Sequence, residues 1–282
     1  MSDPSPGRGN SGLTGELGVR SLSALVLVGI AIVALWAGPW PFGVLVAVVA
    51  AAASWEWGRM VRGVDYDAYG LTHAAMVILA TFASIAGYAV PASITLVVGA
   101  IVLIIVRFRA RDALTGLGVL AIGIPAIGLA HLRADNHLGL EAVLFLFVVV
   151  WATDIGGYIF GRAIGGPKLL PAVSPSKTWA GAIGGLVMAA LVGAATGAIM
   201  SSRDLIGYIL IAIMLGFAAE IGDLTESALK RRSGRKDASG LIPGHGGVLD
   251  RIDGLLFSAL VALLFAMLRN PLHPAEGLLL WP

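Results

Sequence analysis

A polar segment near the carboxyl end of this sequence contains the side chains best suited to chemistry. Residues 227–253, SALKRRSGRKDASGLIPGHGGVLDRID, hold six basic and three acidic side chains between two apolar stretches. The segment departs sharply from a chain that is 57% hydrophobic and only 13% charged. Because charged groups are costly at membrane depth, their concentration here predicts a functional site.

Carboxylates flank this segment on both sides. Glu220, Asp223 and Glu226 recur every three residues at the end of one apolar stretch, and Asp250 and Asp253 begin the next. Three-residue steps place side chains on one face of a helix, so two helix ends can bring Asp223 and Asp250 together. Hard oxygen ligands without cysteine suit Mg²⁺, and the surrounding basic side chains suit a polyphosphate. The alternative for most of the basic residues is a cytoplasmic loop that touches anionic lipid.

Asp154 is a further carboxylate, placed inside an apolar helix about two turns before Arg162. An unpaired carboxylate at that depth costs on the order of 2.5 to 3.5 kcal/mol. Asp154 therefore needs a cation, water or a partner. We interpret it as a metal or water ligand, with a structural salt bridge to a neighbouring helix as the alternative.

The segment SPSKTWAG, residues 174–181, comes directly before another apolar run. Pro175 disfavours a helix at Ser174, so the sequence predicts a helix that begins around Ser176 to Thr178. Its free backbone N–H groups, two hydroxyls and Lys177 would form an anion site. A serine cap with a lysine that reaches to the interface explains the same residues.

The elements that position these residues are long apolar runs, which recur along the whole chain with a mean hydropathy of +0.88. They predict an all-α polytopic membrane protein. We expect about nine transmembrane helices, near residues 21–37, 42–58, 71–90, 91–106, 114–131, 139–161, 178–200, 204–224 and 254–269.

The distribution of basic residues predicts the orientation, because Lys and Arg are retained on the cytoplasmic side of short loops. Sixteen of the 19 basic residues fall on alternate connections. Only Arg133, Arg203 and Arg269 fall on the others. With an odd number of spans, the N-terminus is expected to be cytoplasmic and the C-terminus outside, with the active face on the cytoplasmic side of the cell membrane.

The remaining composition sets limits on other functions. The absence of cysteine excludes disulfides, thiolate metal sites and a cysteine nucleophile. The net charge of +2 comes from the loop bias, so nucleic-acid binding is not inferred from it. We divide the chain into a disordered cytoplasmic tail at 1–20, membrane helices at 21–137, catalytic helices and loops at 138–270, and a short tail at 271–282.

One spaced pattern resembles a known family. The pattern consists of Ser227-x-Leu229-Lys230-Arg231, then Lys236-Asp237, then Pro243-x-His245-Gly246-Gly247-x-x-Asp250-Arg251-x-Asp253. It is similar, without a gap, to the signature of the phosphatidate cytidylyltransferases, also called CDP-diacylglycerol synthases. SPSKTW and the stretch from Asp154 to Arg162 resemble upstream motifs of the same family. The resemblance covers roughly residues 150–255 strongly, and the first 110 residues match only as generic membrane helices.

The resemblance implies transfer of a cytidylyl group from CTP to phosphatidic acid, giving CDP-diacylglycerol and pyrophosphate with Mg²⁺ required. It also implies metal held by Asp223 and Asp250, and a helical membrane fold that is often dimeric. The repeated small residues Gly181, Gly185, Gly193 and Gly197 suit close helix packing, either within one bundle or across a homodimer interface.

These observations assign expected roles to individual residues. The metal ligands are expected to be Asp223, Asp250 and Asp154, for Mg²⁺ with a second cation left open. The catalytic group is expected to comprise Asp223, Asp250, Asp253, Lys230 and Lys236. The substrate-binding residues are expected to be Ser174, Ser176, Lys177, Thr178, Arg231, His245, Gly246, Gly247 and Arg251.

Two other functions compete with this interpretation. A CTP-dependent kinase of a polyprenol or related lipid alcohol would need a similar site, but also a base for its hydroxyl nucleophile. A transporter or lipid flippase is suggested by the nine spans and by Asp154 and Glu220 in apolar surroundings. Against it, the charged groups gather at one face instead of tracing a path through the membrane midplane.

Overall fold

The computed structural model describes residues 11–200, 204–242, 244 and 246–280, with side chains described from residue 23 onward. Helices dominate this part of the chain. The elements are α1 (Ser11–Ala37), α2 (Pro39–Arg62), α3 (Ala68–Ile85), α4 (Ala89–Arg107), α5 (Leu114–Ala134), α6 (Gly139–Ala163), β1 (Lys168–Leu170), β2 (Ser174–Thr178), α7 (Trp179–Ile199), α8 (Leu205–Arg232), α9 (Leu249–Arg269) and α10 (Pro274–Leu279).

Local sequence signals explain where these helices begin and end. Pro39 starts α2, where its missing N–H leaves no helical hydrogen bond unmade. Gly63 ends α2 in the left-handed conformation, with a φ of 74°. Asp67 then caps α3 by accepting a hydrogen bond from the Gly70 N–H at 2.7 Å.

The long helices have the dimensions of membrane spans. Within the described residues, eight helices, α2 to α9, are long and apolar enough to cross a bilayer, and the segment Ser23–Ala37 of α1 is apolar over a shorter length. The prediction of an all-α polytopic membrane protein is confirmed. The predicted boundaries differ most at two helices: α1 begins at Ser11 and not near residue 21, and α8 ends at Arg232 and not near residue 224.

A two-stranded antiparallel hairpin between α6 and α7 was not predicted. Lys168 pairs with Thr178, and Leu170 pairs with Ser174. The helix that was expected to begin around Ser176 to Thr178 begins at Trp179, with Thr178 as its N-cap, and residues Ser174–Thr178 are extended. Pro175 disfavours the helical conformation at Ser174, as expected. Pairing with β1 keeps the following residues extended as far as Thr178.

The helices alternate in direction, so their connections gather at two ends of the bundle. We call the site end the one that holds the α2–α3 and α4–α5 turns, the β1–β2 hairpin and the loop at 233–248. The opposite end holds the turns at 135–138 and 270–273 together with α10. The basic connections that were predicted to share one side meet at the site end, where Arg62 on α2 donates to the Thr115 hydroxyl on α5 at 3.1 Å.

The most deeply buried of the spanning helices described is α5, which packs against α2, α3 and α4 and also against α9. Helices α6, α7 and α8 pack in sequence beside it. Glycine permits the closest of these approaches, since a side chain at Gly181 would lie 2.8 Å from the Gly157 carbonyl oxygen on α6. Gly193 meets Ala212 on α8 in the same way. The glycines of α7 thus serve packing within one bundle.

Candidate active site

A cavity of about 670 Å³ opens at the site end, between α6, the hairpin, the start of α7, α8 and the first turns of α9. Its walls combine acidic, basic and hydroxyl groups. The polar lining residues are Thr153, Asp154, Tyr158, Arg162, Ser176, Lys177, Thr178, Glu220, Asp223, Asp250, Arg251 and Asp253. The cavity therefore brings together the three sequence segments that were predicted to carry the chemistry.

One face of α6 supplies the first wall. Asp154, Tyr158 and Arg162 follow at four-residue steps and all line the cavity. The Tyr158 hydroxyl accepts a hydrogen bond from Arg162 at 2.9 Å. No hydrogen bond or ion pair within the described part of the chain engages Asp154, whose carboxylate is exposed to the cavity. The structural salt bridge considered for Asp154 is absent among these residues.

The hairpin supplies a cation on the facing wall. Lys177 on β2 extends to α8, where its Nζ lies 2.6 Å from Oδ2 of Asp223. Ser176 lines the cavity beside it, whereas Ser174 lies further along the strand, paired with Leu170. Thr178 caps α7 by accepting from the Gly181 N–H at 3.1 Å. The capping role that was weighed for this segment is therefore present at Thr178, while Lys177 pairs with Asp223 inside the cavity.

Helix α8 presents its three acidic residues in two different settings. Glu220 and Asp223 line the cavity, and Asp223 also accepts a hydrogen bond from the Ser227 hydroxyl at 3.3 Å. Glu226 is buried and forms an ion pair with Lys230. The three carboxylates were predicted to share one helix face. Only Glu220 and Asp223 face the cavity, because each three-residue step falls short of a full helical turn and moves the next side chain around the helix.

Asp250 organises the loop that precedes α9. Its Oδ1 accepts from Lys230 Nζ at 2.6 Å. Its Oδ2 accepts from the Gly247 N–H at 2.7 Å and from the Ala238 N–H at 3.0 Å. The Asp250 side chain is only 5% exposed, although the residue borders the cavity. Its carboxylate is therefore largely engaged by the protein, unlike that of Asp154.

Lys230 lies behind the cavity and not in its wall. Lys230 is only 9% exposed, and its ammonium group forms ion pairs with Glu226 on α8 and Asp250 on α9. Two opposite charges offset the cost of burying this lysine. Lys230, which was expected to act in catalysis, thus forms ion pairs that connect α8 to α9.

A buried glutamate that sequence reasoning missed fixes the start of α9. Glu56 on α2 is fully buried and accepts hydrogen bonds from the Ser239 hydroxyl at 2.5 Å, the Val248 N–H at 2.9 Å and the Leu249 N–H at 2.6 Å. A carboxylate at a helix N-terminus satisfies free N–H groups and interacts favourably with the helix dipole. Its signal in the sequence was an acidic residue inside an apolar span, the same signal that singled out Asp154.

Of the remaining predicted residues that the structure describes, Arg251 borders the cavity and the others lie outside its lining. Arg231 donates to the Val173 carbonyl of the hairpin at 3.4 Å. Lys236 is exposed on the loop. Gly246 takes a positive φ of 81°, as the predicted tight turn requires, and Gly247 leaves room for the Glu56 carboxylate. His245 lies outside the described residues.

The oxygen ligands of the cavity fit a hard divalent cation. Asp154, Glu220, Asp223 and Asp253 all offer carboxylates to one space. Across the residues that the structure describes, no three of these carboxylates bring their oxygens within 4.8 Å of one another. A cation here would share one or two carboxylates with water and substrate phosphates, which is the manner in which Mg²⁺ binds.

Comparison with known proteins decides the family. A model of the cytidylyltransferase family matches residues 18–268 of the chain. The chain belongs to the cytidylyltransferase family. The resemblance found in the polar carboxyl-terminal motif is thereby confirmed, and the match extends well into the amino-terminal helices that the motif did not cover.

Several bacterial relatives of this cytidylyltransferase bear the name phosphatidate cytidylyltransferase. The protein from Brucella suis is 42% identical over 181 residues, which are 64% of this chain and 67% of the relative. The protein from Haemophilus influenzae is 45% identical over 138 residues, 47% of this chain and 48% of the relative. The protein from Staphylococcus saprophyticus is 40% identical over 152 residues, 54% of this chain and 58% of the relative. The matched segments thus span about half to two thirds of these relatives.

Proposed function

We infer that this membrane protein transfers a cytidylyl group from CTP to phosphatidic acid, giving CDP-diacylglycerol and pyrophosphate for phospholipid synthesis. The observation that carries this inference is the membership in the cytidylyltransferase family, joined to a cavity that combines carboxylates and basic side chains at the end of a membrane helix bundle. The names of the bacterial relatives supply the acceptor, phosphatidate.

The reaction requires positioning more than proton transfer. A phosphate oxygen of phosphatidic acid attacks the α-phosphorus of CTP, the bond from that phosphorus to the bridging oxygen of the β-phosphate breaks, and pyrophosphate leaves with the electron pair. A phosphate monoester has a second pKa of about 6, so the nucleophile is mostly dianionic at neutral pH. The nucleophile therefore needs no general base to remove a proton.

The cations of the cavity would reduce the repulsion between two polyanions. Lys177, Arg162 and Arg251 lie on three different elements around the same space. A triphosphate that enters would compete with Asp223 for the ammonium of Lys177, since the two side chains are paired at 2.6 Å without it. Substrate binding would thereby release the Asp223 carboxylate.

We propose that Asp223 and Asp154 are the principal ligands for Mg²⁺, with Asp253 and Glu220 as neighbours. Bound Mg²⁺ would neutralise charge on the reacting phosphates and on the departing pyrophosphate. Asp250 would contribute by holding the loop and the start of α9 in place, because its oxygens already accept hydrogen bonds from Lys230 and two backbone N–H groups.

We place the site end at the cytoplasmic face of the cell membrane, because the basic connections gather there. CTP then arrives from the aqueous side, while the lipid enters between helices with its headgroup at the interface. The natural absence of cysteine makes a direct test possible. In intact cells, a membrane-impermeant maleimide should label Asn136→Cys at the opposite end and spare Ala110→Cys at the site end; the reverse pattern would contradict the orientation.

The activity is tested by incubating the purified protein with phosphatidic acid, Mg²⁺ and each of the four ribonucleoside triphosphates. Radiolabel from the α-phosphate of CTP should enter the lipid, and label from the γ-phosphate should appear in pyrophosphate. Label from the γ-phosphate in the lipid, with release of CDP, would instead establish the lipid kinase. Movement of lipid across liposomes without nucleotide consumption would favour the transporter.

A further inference from the structure

A second cluster of potential metal ligands lies at the opposite end of the bundle from the cavity. His137 belongs to the α5–α6 turn, His273 directly precedes α10, and Glu276 lies in the first turn of α10. One ligand atom from each residue lies within 4.8 Å of the other two. It is the only such trio of histidine, cysteine or acidic side chains in the described part of the chain.

The backbone around this cluster is held by hydrogen bonds between the two segments. Asp135 accepts from the His137 N–H at 3.0 Å through Oδ1, and from the Ala275 N–H at 3.1 Å through Oδ2. One carboxylate thus joins the α5–α6 turn to the start of α10. Asn270 accepts from the His273 N–H at 3.0 Å, and its amide nitrogen donates to Glu276 at 3.4 Å.

The helix that carries two of the three ligands is itself anchored. Leu278 and Leu279 on α10 are buried in the core, and Tyr208 on α8 donates to the Leu279 carbonyl. Arg269 donates to the carbonyls of Gly277 and Leu280, each at 2.8 Å. The three ligands therefore project from a fixed backbone, while the two imidazole side chains remain exposed and can rotate.

The ligand set distinguishes this cluster from the cavity. Two imidazoles and one carboxylate suit Zn²⁺, Ni²⁺ or Cu²⁺, whereas Mg²⁺ prefers oxygen ligands alone. Tetrahedral Zn²⁺ with bonds of about 2.0 to 2.1 Å places its ligand atoms roughly 3.4 Å apart. The ligand atoms of the trio lie within 4.8 Å of one another, and because both imidazoles are exposed, we expect rotation of their side chains to shorten these distances when a metal binds.

We propose that His137, His273 and Glu276 form a binding site for a transition metal ion of the Zn²⁺ class, which joins the α5–α6 turn to α10. Three protein ligands leave one coordination position for water. The site is separate from the carboxylate cavity and is independent of the proposed lipid reaction. A metal bound only by the folded protein raises its stability by mass action.

The test uses the full chain, purified with a tag that contains no histidine and freed of metal by a chelator. Titration with Co²⁺ should give the visible absorption of a low-symmetry site at one equivalent, and Zn²⁺ should displace it. Millimolar Mg²⁺ should leave the spectrum unchanged. Zn²⁺ should also raise the thermal unfolding midpoint of the wild-type protein.

Variants identify the ligands. His137→Ala and His273→Ala should each weaken Zn²⁺ binding by about 100-fold or more, and the supporting Asn270→Ala by about 10-fold. His131→Ala, which removes a nearby histidine outside the trio, should bind Zn²⁺ normally. Formation of CDP-diacylglycerol and an unchanged gel-filtration profile would verify that the variants fold. Absence of binding in the wild type, or binding retained in both His137→Ala and His273→Ala, would overturn the proposal.

Discussion

The carboxylates on the two acidic walls of the cavity differ in how many hydrogen bonds and ion pairs they form with the rest of the protein. On α6, Asp154 is free of hydrogen bonds and ion pairs among the described residues. On α8, the polar partners of Asp223 in the same part of the chain are Lys177 and Ser227. At the start of α9, Asp250 is held by Lys230 and by the Gly247 and Ala238 N–H groups. From this difference we expect Asp223 on α8 to take part in substrate chemistry and Asp250 on α9 to hold the loop in place.

Removing the charge of Asp223 should have the largest effect on activity. Asp223→Asn should lower kcat by about 100-fold or more, as expected when a group that stabilises transition-state charge is lost. The thermal unfolding midpoint should change little, because the side chain is partly exposed. Parallel assays of turnover and thermal unfolding measure both. Ser227→Ala, which removes only the neighbouring hydroxyl, is the matched control and should remain active; near-normal turnover of Asp223→Asn would contradict its role.

Asp250→Asn should lower activity and stability together. The substitution leaves the buried Lys230 with one carboxylate partner and disturbs two backbone hydrogen bonds, a change worth about 3 kcal/mol when a buried pair is broken. A fall in the unfolding midpoint in detergent, measured with the activity, tests this. Asp237→Asn, on the exposed part of the same loop, should leave both unchanged. If Asp250→Asn lost activity at full stability, Asp250 would belong with Asp223 as a direct participant.

Much of the cavity was predictable because its residues follow helical periodicity at the ends of apolar spans. Asp154, Lys177, Asp223, Asp250, Arg251 and Asp253 all line the space that the sequence predicted. The hydrogen bonds and ion pairs that each of these side chains forms were not predictable. Lys230 lies in the last turn of α8 and Lys177 lies in β2. The first is buried behind the site and the second lies within it, a difference that depends on the direction in which each element points its side chain.

The elements missed from the sequence depend on contacts between distant segments. The hairpin consists of strands of only three and five residues, too short for a periodic signal, and Leu170 pairs with Ser174 across a tight turn. Glu56 meets residues 239–249 across nearly 200 positions of sequence. Helical spans, by contrast, follow from local hydropathy, which explains why eight of the nine predicted spans match membrane-spanning helices at approximately the predicted positions.

Glu56 offers a way to separate architecture from chemistry on the α9 side. Glu56→Gln should lower stability by about 1 to 3 kcal/mol, because the amide group cannot accept all three hydrogen bonds of a buried carboxylate. Activity should fall in proportion to the disorder of the α9 start, with a weaker apparent affinity for CTP. Steady-state kinetics and thermal unfolding measure these effects. Asp65→Asn, in the exposed turn after α2, is the control. If Glu56→Gln kept wild-type stability and activity, Glu56 would not be what holds the start of α9 in place.

The smallest effect is expected at Tyr158. Tyr158→Phe removes the hydroxyl that Arg162 contacts at 2.9 Å on an exposed part of the cavity wall. Exposed interactions of this kind contribute about 0 to 1 kcal/mol. Turnover should therefore change by less than about fivefold, with the larger part in KM. A loss comparable to that of Asp223→Asn would instead make Tyr158 a direct participant in the reaction.

Protection of a single cysteine tests most directly whether this cavity binds the nucleotide. Ser176→Cys places a thiol in the cavity wall of a chain that has no other cysteine, and Ala110→Cys places one at the same end outside the cavity. CTP with Mg²⁺ should slow maleimide labelling of Ser176→Cys and leave Ala110→Cys unaffected. Equal labelling rates with and without CTP at both positions, in protein that still forms CDP-diacylglycerol, would contradict the account.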